Sequence, residues 1–302
     1  MANNPAIPTG YQLMSQQAVT PAMTAWAVQI LHSIAEYPMF ATTTRVFGVR
    51  QVLARVEWHP PDFQNHAEHR GVTLYEGSLA TIDAIQARGV DISRYQSSID
   101  FKKAQASGVS FAFVKATESV DIVDASFATH WSLAKQVGLL RGAYHFFRPR
   151  QDAITQARLF LAQLNDPGEL PPTLDVEVND GVPGADIVAG ASAWVEYVTP
   201  RLNRPLIYTS PSFWNALPGA EPLTLKADLW VAHWGASEPA EVKGWLRWMF
   251  WQRTNQASVP GIPSAVDEDR FNGSLAELRA FSAAVFAERA TCDLLPAQKP
   301  NV

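Results

Sequence analysis

The sequence predicts an α/β fold: an irregular (β/α) TIM-like barrel preceded by a small α+β N-terminal module. From about residue 88 onward, short apolar runs alternate with amphipathic stretches, a pattern typical of a mostly parallel sheet. There are eight such runs, the number of strands in a β/α barrel. The later connections are too short for regular helices, so we expect an irregular barrel rather than a regular eightfold one.

The module is predicted over residues 1–85. Residues 1–15 form a polar lead-in. Thr20 and Pro21 suit the N-cap and first position of a helix, and apolar residues including Trp26 follow at helical spacing up to Pro38. Residues 42–58 and 71–76 are rich in β-branched and aromatic residues. They predict two or three strands joined by a polar loop from Pro60 to Arg70.

The barrel is predicted over residues 86–290, followed by a loose tail at 291–302. Two glycines, Gly108 and Gly138, lie where helices are expected to end. The strand runs are 89–93, 111–117, 142–147, 173–178, 205–209, 229–234, 249–252 and 265–267. The helices are 97–107, 124–138, 151–164, 186–203 and 274–289.

Composition excludes several classes of function. Of the 302 residues, 47% are hydrophobic and 18% charged, which indicates a globular chain, and the net charge of −5 gives no electrostatic grip on nucleic acid. No apolar run approaches the ~20 residues of a membrane span. The single cysteine, Cys292, fits a reducing compartment.

The N-terminus lacks a basic segment followed by an apolar one, so we expect no secretory signal peptide. The protein is then made in the cytoplasm. If its substrate lies outside the cytoplasm, another route must deliver it, through a pore or a secretion machine.

Two carboxylates, Asp175 and Glu177, lie in the apolar run 171–178. In an extended segment this spacing points both side chains to one face. Burying two acidic side chains costs free energy, so their burial suggests a function. Cleavage of a glycosidic bond uses such a pair, one acid to protonate the leaving oxygen and another to manage the developing positive charge. Ion pairing at a strand end explains the pair equally well.

Two further acids close the first and last strand runs. Asp91 ends the first run and Asp267 the last, and these strands are neighbours in a closed barrel. The carboxyl ends of barrel strands line the active site. A single acid at a strand end is more often a helix N-cap, but four at matching positions predict one shared site.

A series of short motifs then carries a family resemblance. In order, they are Val90-Asp91-Ile92-Ser93-Arg94-Tyr95-Gln96, Phe113-Val114-Lys115-Ala116-Thr117-Glu118, Gly142-Ala143-Tyr144-His145-Phe146, Leu174-Asp175-Val176-Glu177, Tyr208-Thr209, Leu229-Trp230-Val231-Ala232, Trp251-Gln252 and Val266-Asp267-Glu268-Asp269-Arg270-Phe271. Over about residues 88–283 the chain resembles glycoside hydrolase family 25, the Chalaropsis-type lysozymes or N-acetylmuramidases of bacteria and phage endolysins.

The resemblance implies an irregular β/α barrel that hydrolyses the β-1,4 bond between N-acetylmuramic acid and N-acetylglucosamine in peptidoglycan, without a cofactor. By motif, Glu177 would be the general acid and Asp175 would orient or stabilise the acetamido group or the oxocarbenium-like state. Asp91 and Asp267 would be supporting acids of the floor. The nucleophile stays open, because the substrate's own N-acetyl group could act.

Aromatic residues near strand ends are candidates for sugar binding, because sugar rings pack their C–H faces on aromatic faces. Tyr144, Tyr208 and Trp230 lie in the matching motifs, and Tyr95 and Trp251 are further candidates. For any single aromatic, packing in the barrel core is the stronger explanation. His145 and His233 fit either a cleft or a core position.

Other functions remain open at this stage. The loose cluster of His59, His66, His69 and Asp62 fits a solvated polar loop better than a zinc site, so no metal is predicted. The same cleft would also serve a catalytically silent peptidoglycan-binding protein, or a glycosidase acting on another N-acetylated glycan such as chitin. Residues 1–85 would target the wall, contact a delivery apparatus or form a dimer surface, and we favour targeting.

Overall fold

A computed structural model describes residues 11–25, 27, 42–47, 50–59, 69–78 and 86–292. The chain divides into two compact units, Met1–Gln86 and Ala87–Val302. Outside the described residues lie the start of the lead-in, Trp26, the predicted helix beyond residue 27, the loop 60–68 with Asp62 and His66, and the tail from residue 293. Among the described helices, none combines the length and apolar character needed to cross a membrane.

The described strands of the first unit are β1 (Gln12–Leu13), β2 (Thr42–Phe47), β3 (Arg50–His59) and β4 (His69–Ser78). They form an antiparallel sheet in the order β1-β4-β3-β2. A helical turn over residues 21–25 follows Thr20, whose Oγ1 accepts a hydrogen bond of 3.3 Å from the backbone of Met23. β1 lies inside the stretch expected to be a lead-in, because two residues carry too little pattern to indicate a strand.

The second unit contains a closed barrel of eight strands, which confirms the predicted α/β barrel. The sheet closes because β5 (Gln86–Ile92) pairs with β6 (Val109–Glu118) on one side and with β13 (Val266–Ser274) on the other. A two-residue strand, β7 (Ile122–Val123), pairs with the end of β6. The barrel strands are β5 (Gln86–Ile92), β6 (Val109–Glu118), β8 (Leu140–Phe146), β9 (Thr173–Asp175), β10 (Leu206–Thr209), β11 (Asp228–Ala232), β12 (Phe250–Ala257) and β13 (Val266–Ser274).

Helices follow several strands. Asp100 and Asp152 act as N-caps and accept hydrogen bonds of 3.1 and 2.7 Å from the backbone of Lys103 and Thr155. Gly108 and Gly138 end two helical segments with φ of 101° and 77°. The helices are α1 (Phe101–Ala106), α2 (Phe127–Gln136), α3 (Ala153–Gln163), α4 (Gly184–Leu202), α5 (Pro211–Trp214), α6 (Glu221–Thr224) and α7 (Leu275–Cys292).

The last strand differs from the sequence prediction. The run 265–267 was expected to end at Asp267, whereas β13 extends to Ser274 and runs antiparallel to β12. Polar residues of β13 that face the barrel interior interrupt the apolar pattern of the strand. Most of β13 therefore could not be recognised as a strand from the sequence. Because the strand is antiparallel, its first residues, including Asp267, lie at the barrel end where the parallel strands finish.

The strand that carries the acid pair is shorter than expected. β9 ends at Asp175, so Glu177 lies just beyond the strand instead of within it. The backbone still continues along its neighbour for one residue, since the N–H of Val176 donates a hydrogen bond of 2.8 Å to the carbonyl of Tyr208.

Aromatic side chains fill the barrel interior. Phe113 stacks on Trp230 with ring centroids 4.2 Å apart, and Phe250 meets Phe113 edge-on at 5.0 Å. Gly142 leaves room for this cluster, because a Cβ there would come within 2.4 Å of the Phe113 ring. Alternate residues of the same strands, such as Val114, face the helices and form a second apolar layer.

Candidate active site

A cavity of about 210 Å³ opens at the barrel end where the parallel strands finish. All the residues predicted for the site line it except Trp251. The lining residues are Asp91, Ile92, Ser93, Tyr95, Gln96, Lys115, Tyr144, Phe146, Asp175, Glu177, Tyr208, Trp230, Gln252 and Asp267.

Strand register brings these residues together from distant parts of the sequence. Asp175 is paired with Phe146 on one side and with Tyr208 on the other. Tyr208 is in turn paired with Trp230 on β11. The strand ends therefore place their side chains next to one another around one rim, as expected for a parallel barrel.

Asp175 and Glu177 form the first carboxyl pair of the cavity. Asp175 is buried, and its Oδ1 has no hydrogen-bond partner in the described part of the chain. Burial, followed by the charge of Glu177, raises the pKa of Asp175 well above its usual value, and the charge of Lys115 opposes this rise.

Glu177 lies at the cavity mouth, where part of its side chain reaches solvent. Its carboxyl group forms no hydrogen bond within the described residues. The cavity walls still remove enough water to raise the pKa of Glu177; Lys115 lowers that pKa and Asp267 raises it. A carboxyl group with a raised pKa, open to a ligand and free to turn, is suited to donate a proton.

Asp91 and Asp267 form the second carboxyl pair, on neighbouring strands. Burial raises the pKa of Asp91 well above its usual value, and the charges of Asp269 and Asp267 add to the rise. Asp267 is half-buried; burial raises its pKa, and hydrogen-bond contact with Asp91 opposes the rise.

Sequence reasoning missed Gln252, Lys115 and Asp269 as site residues. Among the described lining residues, Lys115 is the basic one, and its Nζ lies 2.7 Å from Glu118 Oε2. Asp269 is fully buried below the cavity, and its Oδ1 accepts a hydrogen bond of 2.8 Å from Trp230 Nε1. A signal for Asp269 was present, since it lies two residues after Asp267 and therefore faces the same side of the strand.

The aromatic candidates have different surroundings. Tyr95 is 72% exposed at the rim, whereas Trp230 is only 1% exposed and packs its face on Phe113. Burial, followed by the nearby aspartates, raises the pKa of Tyr144 and of Tyr208 well above the usual value. Both hydroxyl groups therefore remain protonated, and that of Tyr208 donates a hydrogen bond of 2.9 Å to Gln252 Oε1.

Trp251, predicted to bind substrate, does not line the cavity. Strand alternation points its side chain away from the cavity, into the apolar layer outside the barrel, next to Trp248. It is 4% exposed, and its Nε1 donates a hydrogen bond of 2.8 Å to the carbonyl of His233.

The two histidines do not line the cavity either. His145 is a core residue whose ring nitrogens contact Thr117 Oγ1 at 2.7 Å and Gln156 Oε1 at 2.9 Å. Burial lowers the pKa of His145 to about 4. His233 Nδ1 accepts a hydrogen bond of 2.9 Å from the backbone of Ala240.

An α/β barrel with several carboxyl groups of raised pKa around one open polar cavity defines a protein of the glycoside hydrolase class. The family model described as glycosyl hydrolases family 25 matches residues 90–262, more than half of the chain. The chain therefore belongs to glycosyl hydrolase family 25.

Known proteins support the same assignment. Lysozyme M1 of Streptomyces globisporus is 34% identical over 223 residues, which cover 68% of this chain and 75% of that protein. The N,O-diacetylmuramidase of Arthroderma benhamiae is 31% identical and covers 65% of this chain and 86% of its own. The solved structure of the bacterial lysozyme from Streptomyces coelicolor is 32% identical, with a TM-score of 0.62, over 66% of this chain and 98% of that one.

Proposed function

We propose that this chain is an N-acetylmuramidase that hydrolyses the β-1,4 bond between N-acetylmuramic acid and N-acetylglucosamine in peptidoglycan. The observation that carries this proposal is the convergence of Asp91, Asp175, Glu177 and Asp267 on one open cavity. The similar proteins of Streptomyces globisporus and Arthroderma benhamiae, a lysozyme and an N,O-diacetylmuramidase by name, support it.

Glu177 is the general acid in this proposal. Its raised pKa extends upward the pH range in which the carboxyl group holds a proton, and its place at the cavity mouth gives it access to the glycosidic oxygen. Asp175 lies deeper and is positioned to orient the acetamido group of the sugar at the cleavage site, which itself can act as the nucleophile. Its raised pKa allows it to accept or hold a proton there.

Asp91 and Asp267 supply negative potential at the floor. An oxocarbenium-like transition state is positively charged, so a carboxylate held below it stabilises the transition state more than the ground state. Tyr144 places a protonated hydroxyl group on the cavity wall, where it can donate to a sugar oxygen. The hydroxyl group of Tyr208 donates to Gln252, so its oxygen can accept a hydrogen bond from a sugar hydroxyl group.

The test is product analysis on purified cell walls. Loss of turbidity with new reducing ends of muramic acid supports the proposal. Reducing ends of glucosamine, or cleavage of chitin oligomers in preference to walls, indicates a different glycosidase. Binding to walls without release of reducing ends indicates a catalytically silent binder.

A matched pair of variants ties the activity to this cavity. Glu177→Gln keeps the shape of the side chain but removes the acid, and we expect a loss of roughly 10²–10⁴-fold in rate. Glu196→Gln, an exposed glutamate on α4 paired with Lys226, is the control and should match the wild type. A Glu177→Gln variant with more than a tenth of the wild-type rate would rule out this role.

We further propose that the barrel belongs to the TIM type and that residues 1–85 are an auxiliary module that directs it to the cell wall or to a delivery partner. The test compares the full chain with one that begins just before Gln86. Equal rates on purified walls, with slower lysis of intact cells by the shorter chain, support targeting. Equal lysis of intact cells contradicts it.

A further inference from the structure

Asp269 is the buried carboxyl group that the proposed mechanism leaves unused. It is 0% exposed, and its Oδ1 is satisfied by the hydrogen bond from Trp230 Nε1. Its Oδ2 is also buried and finds no N–H or O–H donor among the described residues. The group that lies in hydrogen-bond contact with Asp269 is another carboxyl group, that of Asp91. Asp91 also contacts Asp267, but Asp267 is half-buried and reaches solvent, whereas Asp269 does not.

Two ionised carboxylates in contact in a dry site repel each other and leave an oxygen without a donor. The neighbouring charged groups do little to offset this repulsion. Asp267 and Glu268 also face Asp269, and Asp175 faces Asp91. The guanidinium groups of Arg88 and Arg270 bind Glu268, at 2.6 and 3.2 Å.

A single proton resolves the conflict. Gln252 Nε2 already donates to Asp91 Oδ2, as Trp230 Nε1 does to Asp269 Oδ1. A proton between the two carboxyl groups supplies the missing donor and leaves the pair with one negative charge.

We propose that Asp91 and Asp269 share one proton beneath the cavity floor, and that Asp269 is thereby a positioning residue that fixes the orientation of Asp91. The positioning role of Asp269 concerns the proposed hydrolytic site. Only its kinetic test depends on the proposed muramidase activity. The shared proton itself is measured without substrate. Failure of the muramidase assay therefore does not count against the shared proton, and loss of the shared proton does not count against hydrolysis.

The direct test is infrared difference spectroscopy between the wild type and Asp269→Asn at pH 7. The asparagine amide can donate to Asp91 in place of the proton, while its oxygen keeps the bond from Trp230. We expect the wild type to show the carbonyl band of a protonated carboxylic acid and the variant to lose it. Asp228→Asn, on β11 and paired with Arg204, is the control and should retain the band. A wild type without that band overturns the proposal.

Kinetics provide the second test. Because the amide replaces the proton, Asp269→Asn should stay within about threefold of the wild-type kcat/KM at pH 5. Asp269→Leu removes both polar contacts and should lose more than tenfold in kcat with little change in KM. A hundredfold loss in Asp269→Asn at every pH would show that Asp269 must ionise and would contradict the proposal.

If Asp269→Asn does not fold, the wild type is compared with Asp175→Asn and with Asp267→Asn, because burial raises the pKa of these two aspartates as well. Carbon-13-labelled aspartate spectra at pH 7 should contain a carboxyl resonance at the protonated position that persists in both variants. Spectra in which every aspartate resonates at the ionised position would overturn the proposal.

Discussion

Gln252 Nε2 donates a hydrogen bond of 2.7 Å to Asp91 Oδ2, so a residue of β12 fixes an acid of β5. The other end of the same amide accepts hydrogen bonds from Tyr208 at 2.9 Å and from Trp234 at 2.8 Å. One neutral side chain therefore sets the orientation of a floor acid and of a wall hydroxyl group together. The amide also brings no further charge into a cavity that already contains four acids.

Gln252→Glu tests this arrangement. The variant keeps the shape and both accepted hydrogen bonds, but replaces the donor that faces Asp91 with a carboxyl oxygen. A hydrogen bond to a charged group contributes ~1.5–3 kcal/mol, so we expect kcat/KM to fall by about 10–100-fold. Gln256→Glu, an exposed position on the same strand, is the control. A Gln252→Glu variant within threefold of the wild type would show that the amide does not position Asp91.

Lys115 tests the assignment of the general acid through the pH profile. Its positive charge lowers the pKa of Glu177 and of Asp175. Lys115→Met removes that charge, so both pKa values rise and Glu177 keeps its proton to a higher pH. The alkaline limb of kcat/KM should therefore move upward by about one pH unit.

The control for this shift is Lys135→Met, which breaks the ion pair with Asp166 on the outer surface and should leave the pH profile unchanged. If the alkaline limb of Lys115→Met stays where it is or moves downward, another group sets that limb, and Glu177 is not the acid that the profile reports.

Much of the site could be predicted because it depends on strand ends, and strand ends leave a strong sequence signal. Asp91 closes an apolar run and Asp175 lies within one, and the register of a parallel barrel brings the ends of such strands together. Asp267 was predicted as the last residue of a parallel strand, whereas it is the second residue of an antiparallel one. Its run looked short because inward-facing Asp269 breaks the apolar pattern.

Side-chain direction was the part that the sequence could not supply. Trp251 and Gln252 are adjacent, so strand alternation sends one to the outer layer and the other to the cavity. Aromatic character favoured the tryptophan as a sugar platform. Which of the two residues faces inward depends on the register in which β12 pairs with its neighbours. The sequence of a single strand does not determine that register.

Tyr95 and Trp251 should respond to substitution in opposite ways. Tyr95→Ala removes a side chain that is 72% exposed at the rim, so we expect a severalfold rise in KM with an unchanged unfolding midpoint. Trp251→Phe removes a buried hydrogen bond and packing volume, so we expect an unchanged KM and a loss of about 1–3 kcal/mol in the free energy of unfolding. A higher KM in Trp251→Phe would indicate that Trp251 contacts the substrate.

His145 gives the barrel a dependence on pH that is separate from catalysis. Burial lowers the pKa of His145 to about 4 from the usual 6.5, so the unfolded chain binds more protons than the folded one between these values. The contribution of His145 to the free energy of unfolding is therefore complete above pH 6.5 and is lost as the pH drops through that window, by about 3 kcal/mol in total.

Urea unfolding at several pH values between 4 and 7 measures this dependence. His145→Gln carries no titrating ring, so it should be less stable than the wild type at pH 7, because the contacts with Thr117 and Gln156 change. The difference between the two proteins should shrink as the pH falls, since only the wild type loses stability through this ring. His233→Gln, at a partly exposed position, is the control. A difference that stays constant from pH 7 to pH 4 would mean that His145 is charged inside the folded barrel.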